Sequence, residues 1–214
     1  GHQEWRIVLT GYHSREQGAS LIELLVGVAV LALLLGLAAP SFTQFIQNTQ
    51  IRTAAEAVST GITLAKTEAL RRNTAIRFQL VSSLEDDCIL ASNGTNWVIS
   101  TEDPTGKCGA AAGADVTPFI VQKRGGADGA PNADVLATGG GAGNHTLVFT
   151  GLGRPSAMNL DGFTTVDITN DISGTCEHAS GSGTMRCLRI AVTPGGDARM
   201  CDPKVSDATD PRKC

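Results

Sequence analysis

The stretch Gly18-Ala-Ser-Leu-Ile-Glu-Leu-Leu-Val-Gly-Val-Ala-Val-Leu-Ala-Leu-Leu-Leu-Gly-Leu-Ala-Ala-Pro40 most constrains what this chain can become. From Ala19 to Ala39 it is apolar but for Ser20 and one carboxylate, Glu23. At about 1.5 Å rise per residue, a helix over 19–39 is about 31 Å long, the depth of a bilayer's hydrocarbon core. A charge inside such a run costs about 2.5–3.5 kcal/mol on insertion scales. A segment that only anchored would gain by losing Glu23. The acid therefore requires a partner.

Residues 19–72 read as one helix with Pro40 inside it. Proline removes a backbone hydrogen bond and crowds the preceding turn, so a bend is expected there. Beyond Pro40 the helix turns amphipathic. Phe42, Phe45, Ala55, Val58, Ile62, Ala65 and Ala69 recur at three- and four-residue steps, the spacing of one buried face. Arg52–Glu56 and Glu68–Arg72 stand as i,i+4 charge pairs. Asn73 and Thr74 end the helix.

Strand-like runs follow. Residues 75–81 alternate apolar and polar. Residues 88–91 and 97–100 read as two more strands joined by the turn Ser92-Asn93-Gly94-Thr95. Residues 119–122, 146–149, 164–168 and 187–192 complete a sheet. Residues 125–143 read as a turn-rich, largely mobile loop broken only by Val135-Leu136, and 197–214 as a polar tail. A helix followed by strands at hairpin spacing gives an α+β domain, its helix packed on an antiparallel sheet.

The chain has 214 residues, 25 of them glycine, and a net charge of −4. Nothing in that balance advertises nucleic acid as a bulk partner. Six cysteines follow the apolar run. An even number in an exported domain reads as a disulfide framework. Nearest-neighbour pairing, Cys88–Cys108, Cys176–Cys187 and Cys201–Cys214, is the working expectation, with the other connectivities open. Zinc is the weaker reading: no Cys-x-x-Cys occurs, and His145 and His178 are the only histidines after Gly18. No nucleophile elbow and no phosphate loop is visible, so neither catalysis nor a cofactor or small-molecule substrate is indicated. Asp86-Asp87 and Asp161-Gly162 read as turn residues rather than calcium ligands. Gly27 and Gly36 read as tolerated small residues of the apolar helix, with close helix packing as the alternative.

Residues 18–26, Gly-Ala-Ser-Leu-Ile-Glu-Leu-Leu-Val, resemble the processing signal of type IV pilins and type II secretion pseudopilins. The resemblance implies cleavage by a prepilin peptidase after Gly18 and N-methylation of the new terminus at Ala19. It also implies pairing of Glu23 with the terminal amine of a neighbouring subunit. Ala19 departs from the phenylalanine more usual there. Residues 64–73, 148–154 and 188–196 resemble the GspH/FimT branch, and the cysteines with the Cys201-Asp202-Pro203 tail look closest to its FimU-type minor pilins. The implied layout is a leader over 1–18, a membrane and filament-core helix half over 19–40, and a periplasmic domain over 41–214. The implied location is the inner membrane and then the filament.

On this resemblance the chain is a minor pilin that supports assembly of a type IV pilus. Its partners are the major and other minor pilins and the prepilin peptidase. The rivals are a type II secretion pseudopilin, a DNA-uptake pilin, and a plain signal anchor carrying a stray acid. Some pilins of this branch bind DNA through a Gly-Arg-x-Arg turn. Here the turn reads Gly195-Gly196-Asp197-Ala198-Arg199, with an aspartate intruding. Arg154, Arg189 and Arg199 are the candidate DNA contacts, and a solvated basic face is the preferred reading of them.

Overall fold

The computed structural model describes residues 20–126, 128–140, 144–156, 163–170, 172, 174–177, 181 and 183–214, and for 38–40 the backbone alone. It resolves into two compact units, Gly1–Pro40 and Ser41–Cys214. Helical backbone, α1 (Leu21–Arg72), runs through both. Pro40 stands at the boundary.

In the first unit every side chain from residue 21 to 37 is exposed. Leu21, Leu33 and Leu37 keep 79%, 64% and 71% of their surface, so the described residues of this unit form no core among themselves. No single helix among the described residues is long and apolar enough to cross a membrane. Leu21–Leu37 and Ser41–Arg72 meet that test of length and composition only as a broken pair.

The second unit sets α1 against two four-stranded sheets. The strands are β1 (Ile76–Leu80), β2 (Trp97–Ser100), β3 (Ile120–Arg124), β4 (Asp134–Thr138), β5 (Thr146–Phe149), β6 (Thr165–Thr169), β7 (Leu188–Val192) and β8 (Ala198–Cys201). The first sheet runs β3-β2-β1-β5 and the second β4-β6-β7-β8. All neighbours are antiparallel. The single sheet anticipated from sequence is thus two. They are stitched by the 92–94 turn, whose Gly94 N–H donates to the Val135 carbonyl while Ser92 accepts from Ala137.

Three local expectations are corrected. Residues 88–91 are no strand; an isolated bridge pairs Leu90 with Val81, just past the end of β1, and the Ala91 N–H donates to the Leu80 carbonyl. The supposedly mobile 125–143 contains β4, whose Val135 and Ala137 are buried against the core. The tail contributes β8, paired with β7 from Arg189–Cys201 to Val192–Ala198.

One main core unites α1 and both sheets. Ile51, Ala55, Val58, Ile62, Ala65 and Ala69 come from the helix, Phe78, Ile99 and Phe149 from the first sheet, and Val135, Ile168 and Ile190 from the second. The alternation of a half-buried strand explains the choice: Ile76, Phe78 and Leu80 face the helix. Val98 and Ile120 face the other way and meet the Cys88–Cys108 bridge in a small second core. The buried helical stripe starts later than periodicity implied. Phe42 and Phe45 are 64% and 68% exposed because the core begins at Ile51. Gln47, a polar residue of the same helix, is buried and accepts a hydrogen bond from the Asn170 amide.

Gly61 sits where the helix lies close against the first sheet. A Cβ there would lie 2.7 Å from the Phe78 ring and 3.1 Å from that of Trp97. The helix ends in a hydrogen-bonded cap: Asn73, at φ 49°, donates to Leu70, and Thr74 to Ala69. Disulfides join Cys88 to Cys108, Cys176 to Cys187 and Cys201 to Cys214, the nearest-neighbour pairs. The last folds the tail back, and Asp202 bridges Lys213 beside the edge of β8.

Gly61→Val is expected to lose about 1–3 kcal/mol by overpacking against fully buried Phe78. Thermal unfolding of the full chain in detergent should show a midpoint several degrees lower; an unchanged midpoint would refute the close approach. Acid should also weaken the fold. Hydrogen bonds from Arg71, then Arg72, hold the Glu68 carboxyl below its usual range, and Arg212 brings Asp210 down to about 2. A lowered folded-state value stabilises above the unfolded one and is lost as pH falls through the folded one. Stability should therefore hold above the ordinary carboxylate range and decline towards pH 2, less steeply in Glu68→Gln. A parallel decline in the two proteins would remove Glu68 from the account.

Candidate assembly site

The first helical turn is built around Ser20. Its Oγ accepts the Glu23 N–H at 3.2 Å, and its carbonyl accepts the Leu24 N–H at 3.2 Å. Ser20 is therefore the N-cap, and Ser20-x-x-Glu23 has the spacing of a capping box. The motif is legible in the sequence, at the very start of the apolar run. The cap puts Glu23 in the first turn, where the helix macrodipole is positive. Glu23 is exposed, and it is the only charged residue among the described residues of this unit. Gly18 and Ala19, the expected cleavage position and new terminus, lie outside the described residues.

The arginines proposed for DNA are distributed as follows. Arg189 makes a two-pronged pair with Asp167, at 2.6 and 3.0 Å, which raises the arginine's pKa. Arg199 donates to the Lys213 carbonyl. Arg154 is exposed in the turn after β5. The intruding Asp197 holds Lys66 of the helix at 2.7 Å, and the same ammonium reaches the Gly195 carbonyl at 3.0 Å. This turn is thus tied to α1, with two of the three arginines already engaged by acceptors of the chain itself.

The remaining polar candidates have structural partners. His145 Nδ1 lies 2.9 Å from Thr146 Oγ1. Asp86 accepts the Gly109 N–H at 3.0 Å, and Asp87 the Ser83 hydroxyl at 2.8 Å. Among the described residues no three His, Cys, Asp or Glu side chains are grouped to hold a metal. His178 and Asp161-Gly162 lie outside the described residues.

Residues 13–39 match the prokaryotic N-terminal methylation motif, a stretch that includes Gly18, Ala19 and Glu23. No curated protein sequence matches the chain. Among solved structures it is similar to the type IV minor pilin FimU of Pseudomonas aeruginosa in two crystal forms. One is 15% identical, covers 77% of this chain and 97% of that one, and has a TM-score of 0.45. The other is 15% identical, covers 73% and 97%, and has a TM-score of 0.40. Residues 54–196, from the buried stripe of α1 to the β7–β8 turn, match the family described as Type II transport protein GspH. The match takes in more than half of the chain, and the protein belongs to the GspH family.

Proposed function

We propose that this protein is a minor pilin that enters a type IV pilus and supports its assembly. Cleavage after Gly18 frees an amine on Ala19, which is then methylated. Segment 19–40 holds the subunit in the inner membrane, with 41–214 in the periplasm, and later packs in the filament core. Major and other minor pilins are its binding partners. Its work is association, without turnover or cofactor.

The observation that carries the reading is Glu23, a lone acid in the capped first turn of a helix whose apolar side chains are all exposed through Leu37. A terminal ammonium from a neighbour would compensate the acid and fix axial register, because only one offset brings the charges together. A type II secretion pseudopilin follows the same rules, and the description of the matched family, a type II transport protein, favours it as the second reading. Deletion separates the two: loss of pili supports the first, and loss of protein secretion with pili intact supports the second.

Mass spectrometry of mature protein should find a chain starting at methylated Ala19; functional protein with its leader intact would overturn the proposal. Glu23→Ala should reach the membrane at normal level yet fall by about tenfold or more in purified pili. That follows from an unpaired ammonium left at a cost of several kcal/mol. Ser20→Ala should cost the first turn about 1 kcal/mol, so hydrogen exchange at the Glu23 amide in micelles should quicken about fivefold. Unchanged exchange would remove the cap from the account.

A further inference from the structure

The cap at Ser20 fixes where α1 starts, and that start stands close to the expected cut. Ser20 itself is not helical, and α1 begins at Leu21. The first described carbonyl of the helical ladder is that of Ser20, which accepts the Leu24 N–H. The Glu23 N–H, which a longer helix would give to the Ala19 carbonyl, goes to Ser20 Oγ instead. Gly18 and Ala19 precede this start in the chain.

The sequence also holds a rival start. Ser14-Arg15-Glu16-Gln17 has the Ser-x-x-Gln spacing of a second capping box. Glu16 suits the first turn of such a helix, where the macrodipole is positive. A helix begun at Ser14 would run on through Gly18 and Ala19 into the apolar stretch. Ala19 favours that continuation and Gly18 resists it. Two capping boxes thus compete, and the peptide bond to be cut lies between them.

The outcome of that competition decides access. A peptidase must take hold of the backbone, and a peptide inside a helix has its carbonyl already engaged. In a helix begun at Ser14, the Gly18 carbonyl would accept the Ile22 N–H and the Ala19 carbonyl the Glu23 N–H. Cleavage would then wait on local opening, and its rate would follow the population of the open form. With the Glu23 N–H held by the Ser20 hydroxyl, the second of those bonds loses its donor.

We infer that Ser20 is a positioning residue for processing: its cap stops the helix short of the Gly18–Ala19 bond and keeps that bond available to the prepilin peptidase. The inference rests on the minor-pilin reading, which supplies the cut after Gly18. Ser20 acts on the precursor, before Glu23 has a neighbour to pair with.

The test is cleavage of the full chain in detergent micelles by purified prepilin peptidase, with mass spectrometry of the product's N-terminus. Loss of a cap shifts the choice of start about fivefold, so Ser20→Ala should be cut about two- to fivefold more slowly than wild type. Ser20→Thr keeps a capping hydroxyl and should be cut within about twofold of the wild-type rate. Adding Ser14→Ala to Ser20→Ala removes the rival start and should restore the rate; a peptidase that merely read the serine would be indifferent to Ser14. Amide exchange at Ala19 and Ser20 should slow in the Ser20→Ala precursor and quicken again in the double variant. The faster exchange expected at the Glu23 amide of Ser20→Ala belongs to the mature chain, which has lost Ser14. Equal rates for wild type and Ser20→Ala, a slow Ser20→Thr, or a slow Ser20→Ala that loss of Ser14 does not restore would overturn the inference. Each of those results leaves cleavage after Gly18, and with it the minor-pilin reading, standing. Wild-type chain cut elsewhere, or not at all, sinks both.

Discussion

The globular unit depends on one stripe of small side chains on α1 that serves two sheets at once. Ala54, Ala55, Ala65 and Ala69 are buried in the shared core, with Gly61 at a close approach to Phe78 and Trp97. Small residues bury little area each, yet they let the helix lie close enough for Phe78, Phe149 and Ile168 to fill the space around it. Alanine also favours the helix intrinsically, so local preference and packing agree along this stripe. Glycine in a helix interior costs about 1 kcal/mol relative to alanine, and Gly61 is kept where even a methyl group would collide. Strands of four or five residues have little independent stability, and the helix is the surface on which both sheets form.

Much of this was legible. The helix showed itself through its apolar run, its i,i+4 ion pairs at Arg52–Glu56 and Glu68–Arg72, and its end at Asn73. Periodicity gave the angular position of the stripe. It could not say where along the helix the sheets would begin, so Phe42 and Phe45 were assigned to a face that has nothing to bury them. Strand β4 was missed because its short alternation, Val135 and Ala137, is embedded in turn-forming residues, and only pairing with distant β6 makes it a strand. Division into two sheets is likewise a non-local fact. Nothing near Gly94 says that its amide will reach Val135. The reason for Gly61 lies in two aromatic rings from other strands, which no local pattern contains.

The two units obey different rules of burial. Residues from 41 onward supply their own core, and their exposed large apolar side chains are mostly scattered. From Leu21 to Leu37 a surface apolar but for Glu23 is left exposed among the described residues. Patches of that size do not persist in water, so lipid or other helices must cover them. A filament of such helices meets the requirement without adding an element to the fold. It also explains why the charged and polar surface of this chain lies almost wholly beyond Pro40 among the described residues.

Magnitudes decide what Glu23 needs. Its own helix offers some relief, because the capped first turn presents the positive end of the macrodipole. Such an interaction contributes about 0.3–1 kcal/mol at exposed positions and up to about 2 in favourable geometry. The cost of a charge in an apolar segment is about 2.5–3.5 kcal/mol. The dipole alone leaves a deficit that a full positive charge would close. Ser20 has a further part here, since an unpartnered amide is costly wherever water is excluded and its hydroxyl satisfies one at the most exposed turn. With that amide occupied by the cap, the carboxylate is the group left to recruit a cation. In the proposed reading the cation is an amine that does not exist until the leader is gone, which ties assembly to processing through a single electrostatic requirement.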